Sequence, residues 1–127
     1  MPGTPIGDPV RLADGTALPL SKGMRAGDFV FLSGQVGIGP DGTIADSVED
    51  QTRQCIENGR AVLEAAGLTL GDVVKTTIWL TDASYFAAFN AVYGSYFPEG
   101  PPARSTVASA LMIPGLKVEI EFIAHGG

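Results

Sequence analysis

The residues most suited to chemistry stand near the end of the chain, where one arginine is followed by two glutamates. Arg104 comes directly after a Pro-Pro-Ala segment, and Glu119 and Glu121 alternate with apolar residues. A guanidinium carries a rigid fork of donors that matches a carboxylate in a bidentate way. A glutamate in a partly apolar pocket can take or give a proton, or orient a water molecule. Two interpretations are open: a small-molecule site built on Arg104 and one glutamate, or a structural ion pair between them.

Other residue types that commonly carry chemistry give weaker signals. Cys55 lies on the apolar stripe of a predicted helix and is interpreted as a small buried hydrophobe rather than a nucleophile. His125 is the only histidine and is assigned to the tail. Because the chain has only one histidine and one cysteine, the sequence predicts no metal site. Ser33 lacks the leading glycine of a G-x-S-x-G nucleophile elbow.

The segment that carries Arg104 and the glutamates is predicted to form a β-hairpin. Residues 104–110 are rich in β-branched and small side chains, and Pro114-Gly115 marks a turn. Residues 116–124 alternate, which places their apolar side chains on one face of a strand. Those side chains are Leu116, Val118, Ile120, Phe122 and Ala124. The hairpin therefore predicts a cation near its start and two carboxylates near its end.

The rest of the chain predicts an α+β fold. Apolar runs indicate strands and stripes at helical spacing indicate helices. The predicted elements are a strand over 29–36, a helix over 48–66, a strand over 72–81 and a helix over 83–97. A short edge strand is expected near 10–12 and a second strand or a turn over 23–27, and residues 1–16 are expected to be loosely ordered or to form an edge strand. This order predicts one domain over 1–127, a mixed sheet with two helices on one face.

An aromatic stripe on the second predicted helix contains a single amide. The aromatic residues are assigned mainly to the core and are Phe86, Phe89, Tyr93, Tyr96 and Phe97. Asn90 falls within the stripe, four residues after Phe86 and three before Tyr93. Because a buried amide must be hydrogen-bonded, Asn90 is expected to bind either the fold or a ligand.

The open face of the predicted sheet points to association with other copies. Two helices cover one face only, yet apolar residues fall on both faces of the strands. The residues that indicate apolar surface on both faces are Phe29, Phe31, Val73 and Trp79. We therefore expect a homo-oligomer with sites at the subunit interfaces, where concave pockets tend to form.

Composition narrows the class of protein. The chain has 127 residues, with 8 basic and 14 acidic side chains and a net charge of −6. This charge argues against a nucleic-acid binder, whose phosphate contacts need a basic face. The apolar runs are too short for a transmembrane helix, and the N-terminus does not resemble a signal peptide. With one cysteine, these features predict a cytoplasmic protein.

Several short motifs match the pattern of one known family. They are Leu32-Ser33-Gly34-Gln35, Gln54 with Asn58, Ala65-Ala66-Gly67-Leu68, Asp72-Val73-Val74-Lys75-Thr76, Phe89-Asn90-Ala91-Val92-Tyr93, Pro102-Ala103-Arg104-Ser105 and Val118-Glu119-Ile120-Glu121. On these motifs the chain resembles the RidA family, also called YjgF/YER057c/UK114, over about residues 17–124. The resemblance implies a chorismate-mutase-like fold assembled as a homotrimer.

The same resemblance implies an activity and a set of site residues. Members of this family hydrolyse reactive 2-imino acids or their enamine tautomers to 2-ketoacids and ammonia, without a cofactor. Arg104 would bind the substrate carboxylate, and Glu119 would position or activate the attacking water. Ser33, the backbone of Gly34 and Asn90 would line the pocket.

Two positions depart from the pattern of well-studied deaminases of this family. Leu20 stands where they carry a tyrosine in the N-terminal loop, and Thr106 stands where they often carry a cysteine. Leu20 and Thr106 are therefore predicted to line the pocket and to decide what it accepts. Two other functions are weighed beside deamination: a non-catalytic protein that binds a small metabolite such as a ketoacid, and an endoribonuclease or translation inhibitor.

Overall fold

The computed structural model describes residues 3–126; Met1, Pro2 and Gly127, the ends of the predicted domain, lie outside the described residues. Within residues 3–126, seven strands and two α-helices follow each other. They are β1 (Thr4–Ile6), β2 (Gly23–Ala26), β3 (Phe29–Leu32), β4 (Gln35–Val36), α1 (Val48–Ala65), β5 (Val73–Leu80), α2 (Phe86–Tyr96), β6 (Ala103–Ala108) and β7 (Val118–His125). The predicted α+β class is confirmed. Neither helix among the described residues is long and apolar enough to cross a membrane.

All the strands belong to one mixed sheet. The order is β1-β2-β3-β7-β5-β6, with β4 also pairing to β7. Only β5 and β6 run parallel, because the chain crosses over between them through α2. The core lies between the sheet and the two helices, and alternate residues of β7 enter it as predicted: Val118, Ile120, Phe122 and Ala124 are all buried there. Leu116, two residues before β7, is also buried.

A side chain caps the start of α1 and the start of the short turn before α2. The Ser47 hydroxyl accepts a hydrogen bond from the Asp50 amide at 3.1 Å, which satisfies one of the free N–H groups at the start of α1. Ahead of α2, the Asp82 carboxylate accepts from the Ser84 amide at 2.8 Å and starts a short 3₁₀ turn, Ala83–Tyr85, that leads into the helix. The predicted bounds of the two helices agree with the structure to within a few residues.

The predicted hairpin is wrong, because β6 and β7 do not pair with each other. β5 lies between them, parallel to β6 and antiparallel to β7. Residues 109–117 are a connection that passes the end of β5, and the Pro114-Gly115 turn falls within it. A proline-glycine turn between two apolar segments indicates where the chain reverses, but it does not show which strand lies beside which. Arg104 therefore faces Thr76 in the ladder rather than a glutamate.

Two register details also differ from the sequence prediction. A β-bulge between Val73 and Lys75 exchanges the faces of the first two residues of β5. Val73 is buried in the core and Val74 is 45% exposed, so Val73 does not belong to the uncovered face. The predicted strand over 29–36 is interrupted at Ser33 and Gly34, and its two halves, β3 and β4, each pair with β7.

The first residues of the chain and the end of β7 also differ from the sequence prediction. Residues 10–12 form only an isolated bridge between Arg11 and Ala17, and the edge strand is β1 instead. The predicted strand near 23–27 is confirmed as β2. His125 is the last residue of β7 rather than part of a tail, and its ring meets the edge of Phe29 with the centroids 4.9 Å apart.

Candidate active site

Three of the predicted site residues come together at the free edge of β6, on the face covered by the helices. We call Asn90, Arg104 and Thr106 the arginine group. The Arg104 guanidinium donates through Nη2 to Oδ1 of Asn90 at 2.8 Å. Thr106 lies two residues further along the same face, in a pocket of about 240 Å³. The pocket is lined by Leu80, Ala83, Phe86, Thr106, Val107 and Ala108.

Glu119 projects from the opposite face of the sheet, where Gly34 lies against its carboxylate. We call Leu20, Ser33, Gly34 and Glu119 the glutamate group. A Cβ atom on Gly34 would stand 2.1 Å from Oε2 of Glu119, so only a glycine leaves space for this carboxylate. The Ser33 hydroxyl donates to the carbonyl oxygen of Ser21 at 2.6 Å, next to the half-exposed Leu20.

The carboxyl of Glu119 has an altered proton affinity. Partial burial raises the pKa of Glu119 above its ordinary value of 4.5, and the neighbouring carboxylate of Glu121 raises it further. A carboxylate with a raised pKa is a better proton acceptor than an exposed one, which suits general base chemistry. In contrast, burial raises the pKa of the Cys55 thiol so far that it stays protonated, which confirms this residue as a buried hydrophobe.

Arg104 and Glu119 are too far apart in one chain to act on the same small molecule. Their strands are separated by β5, and neighbouring strands are about 4.8 Å apart, so two spacings alone give roughly 10 Å. They also project from opposite faces: Arg104 pairs with Thr76, which contacts α2, and Glu119 pairs with Trp79 on the uncovered face. The interpretation of Arg104 as the ion-pair partner of a hairpin glutamate is therefore wrong.

Gln51, a buried amide that the sequence analysis did not identify, is hydrogen-bonded to the backbone just before β7. Gln51 is fully buried in α1, and its side-chain nitrogen donates to the carbonyl oxygens of Ala45 and Gly115 at 2.8 and 2.9 Å. Its Oε1 accepts from the backbone amide of Lys117 at 2.7 Å, two residues before Glu119. The sequence did contain a signal for this role. Gln51 is a polar residue three positions after Val48, on the apolar stripe of the helix, where a buried amide must be hydrogen-bonded.

A second amide of α1 supports the neighbouring strand. Asn58 donates to the carbonyl oxygens of Val36 and Ile38, both at 3.0 Å, and its own Oδ1 accepts from Gln54 at 2.8 Å. Val36 is the residue that pairs with Glu119 in the ladder. Gln54 and Asn58 were identified in the sequence only as motif positions. Their hydrogen bonds hold β4 in place beside Glu119.

Comparison with known proteins places both groups inside a matched region. A family model described as Endoribonuclease L-PSP matches residues 12–126. The 2-iminobutanoate/2-iminopropanoate deaminase of Salmonella typhimurium is 44% identical over 110 residues, which cover 84% of this chain and 86% of that protein. A RutC family protein of Pyrococcus horikoshii is 43% identical over 109 residues, with coverage of 84% and 86%.

A solved structure extends the similarity to the whole fold. The crystal structure of Escherichia coli TdcF with bound serine superposes with a TM-score of 0.86 at 36% sequence identity, and the match covers 98% of this chain and 99% of that one. The matched residues include every member of the arginine and glutamate groups, from Leu20 to Glu119.

Proposed function

The chain belongs to the Endoribonuclease L-PSP family, which includes the RidA-type deaminases, and on this premise we propose that it hydrolyses 2-imino acids or their enamine tautomers to 2-ketoacids and ammonia. The observation that carries the proposal is the state of Arg104. Its guanidinium is hydrogen-bonded to a neutral amide and, among residues 3–126, forms no ion pair with a carboxylate. Its charge is therefore available to a carboxylate from outside the chain.

In the proposed reaction, Arg104 holds the substrate carboxylate and Glu119 handles water. Protonation of the imine nitrogen makes C2 electrophilic, so a positioned water molecule can add to it. Glu119 accepts a proton from that water as the new C–O bond forms. Glu119 then returns its proton to the nitrogen of the resulting carbinolamine. The C–N bond breaks and ammonia leaves as the carbonyl forms, and the hydroxyl proton is released to solvent, which supplied the proton of the imine. Orientation of substrate and water accounts for most of the acceleration, because proximity alone removes a large part of the barrier.

We further propose that each active site is completed by two copies of the chain. One copy provides the arginine group and its neighbour provides the glutamate group, because Arg104 and Glu119 project from opposite faces of one sheet. The uncovered face supports this proposal. Phe29 and Phe31 lie on β3, next to the strand β7 that carries Glu119, and each is 43% exposed and could pack against a second copy. A homotrimer with its sites between subunits is the assembly implied by the family resemblance.

Hydrolysis of freshly generated 2-iminopropanoate by the purified protein tests the activity. Pyruvate and ammonia are measured with wild type, Arg104→Ala and Arg104→Lys. Loss of a charge-assisted contact to the carboxylate is expected to lower kcat/KM of Arg104→Ala by about 10- to 100-fold. Arg104→Lys keeps the charge without the fork and is expected to fall in between. If wild type and Arg104→Ala both clear the imine at the rate of buffer alone, the deaminase proposal is lost.

Each of the two other functions predicts a different experimental result. A non-catalytic metabolite-binding protein would bind pyruvate through Arg104 but show no turnover, and Glu119→Gln would leave its affinity intact. Ribonuclease activity would require RNA cleavage by highly purified protein that a substitution in the arginine or glutamate group abolishes. The net charge of −6 weighs against it.

A further inference from the structure

The Arg104 guanidinium lies against three aromatic rings from α2. Its Cζ atom is 5.5 Å from the ring centroid of Phe86, 5.4 Å from that of Phe89 and 5.1 Å from that of Tyr93. These three residues and Asn90 occupy positions i, i+3, i+4 and i+7, so they share one face of the helix. Ring faces attract a guanidinium within about 6 Å of the centroid.

Two of the three rings are held rigidly. Phe89 is fully buried and Tyr93 is 4% exposed, with their centroids 5.3 Å apart. The Tyr93 hydroxyl shares a hydrogen bond of 2.7 Å with the buried Thr76 hydroxyl on β5. Burial raises the pKa of Tyr93, so its phenol stays neutral at physiological pH. Phe86, in contrast, is 48% exposed at the mouth of the pocket that holds Thr106.

All the groups that hold Arg104 are uncharged. A carboxylate partner would orient the guanidinium equally well, but it would occupy the donors and compete with an anionic ligand. Aromatic faces orient the plane of the guanidinium without using its N–H donors, and Asn90 uses only one of the five. The site therefore presents an oriented cation whose charge and remaining donors are free.

We propose that Phe86, Phe89 and Tyr93 form an aromatic cage that positions Arg104 and makes the site selective for a carboxylate over a neutral group of the same shape. This inference rests on the proposed role of Arg104 in binding the substrate carboxylate. The three rings are positioning residues.

Competitive inhibition by pyruvate and by methyl pyruvate tests the cage. The measured quantity is the ratio of the two inhibition constants, methyl pyruvate over pyruvate, in the assay of 2-iminopropanoate hydrolysis. Tyr93→Leu is expected to lower this ratio by about tenfold. Tyr93→Phe keeps the ring and is expected to keep the ratio within about twofold of wild type.

Val92→Ala is the matched control for packing, since Val92 is buried in α2 but is not one of the rings against Arg104. It is expected to lower stability and leave the inhibitor ratio unchanged, and an equal fall in the ratio would overturn the cage. If circular dichroism shows that Tyr93→Leu does not fold, Phe86→Leu replaces it, because half of that side chain is already exposed.

The two proposals fail in different ways. If Arg104→Ala binds pyruvate as tightly as wild type does, the role of Arg104 is wrong and the proposed function fails. If Arg104→Ala weakens pyruvate binding but neither Tyr93→Leu nor Phe86→Leu changes the inhibitor ratio, the cage alone is overturned.

Discussion

At the scale of single residues, Arg104 and Glu119 are kept reactive by opposite means. Arg104 is surrounded by neutral groups that leave its charge free, whereas Glu119 is partly desolvated beside another carboxylate. Desolvation of a carboxylate costs stability relative to an exposed, hydrated charge. Ionisable groups perturbed in this way cluster at functional sites, which supports the assignment of Glu119 to an active site.

The raised pKa of Glu119 predicts the acid side of the pH profile. The ionised carboxylate accepts the proton of water, so activity should rise with pH through the pKa of Glu119, at a midpoint above 4.5. Glu121→Gln removes the second cause of the raised pKa and should move this midpoint to lower pH. The measurement is kcat/KM for 2-iminopropanoate between pH 4 and pH 8.

Glu119→Gln is the control for that profile. It should lower kcat by about 10²- to 10⁴-fold, as expected for loss of a general base, and should abolish the acid limb. An acid limb that persists unchanged in Glu119→Gln would show that a different group titrates.

Gly34 is predicted to be required for the position of Glu119. Its backbone does not have a positive φ angle, so an alanine is conformationally acceptable, but the added Cβ would overlap the Glu119 carboxylate. Since a misplacement of about 1 Å can cost 10²-fold, Gly34→Ala should lower kcat/KM at least tenfold and leave the circular dichroism spectrum unchanged. Gly94→Ala, in α2 with no atom near the added Cβ, should retain wild-type activity. Equal activity of the two variants would refute this role.

At the scale of elements, the site depends on close contact between α1 and β7. Gly59 on α1 lies against the ring of Phe122, and a Cβ there would come within 2.7 Å of it. Gly59→Ala should therefore lower the free energy of unfolding in urea by about 1–3 kcal/mol through overpacking. Gly94→Ala in the same assay should raise it by about 0.5–1 kcal/mol, because alanine is the better helix former. A neutral or stabilising Gly59→Ala would contradict the close packing.

Local patterns in the sequence predicted the elements, but they did not predict their neighbours. The apolar stripes of the two helices and the alternation over 116–124 each depend on residues close in sequence, and the structure agrees with them. Strand pairing is decided by contacts between distant segments, so β5 could not be placed between β6 and β7 from spacing alone. The bulge at Val73 likewise depends on its partner strand.

The same limit applies to the candidate site. Arg104, Glu119 and Asn90 were identified by residue type and family motifs, whose spacing is local. Their division between two faces of the sheet required the strand order. The aromatic stripe of α2 was assigned to the core, and its contact with Arg104 was missed because the stripe is also part of the core: Phe89 and Tyr93 are both buried.

At the scale of the whole molecule, the uncovered face of the sheet is the surface through which the glutamate group of one copy could meet the arginine group of another. Phe29, Phe31 and Val107 are each more than 40% exposed, and Glu119 and Trp79 lie between them. A face of this kind covered by a second copy would bury apolar area and exclude water from the Glu119 carboxylate. Assembly and catalysis would then depend on the same surface.

Complementation between two inactive variants tests the composite site most directly. Arg104→Ala and Glu119→Gln are mixed in equal amounts, unfolded in urea and refolded together, and hydrolysis of 2-iminopropanoate is measured. If each site takes Arg104 from one copy and Glu119 from its neighbour, random assembly should restore about a quarter of wild-type activity, since half of the copies carry each intact residue. If the mixture stays at the average of the two variants refolded separately, with mixed oligomers confirmed by mass spectrometry, both residues act within one chain and the composite site is contradicted.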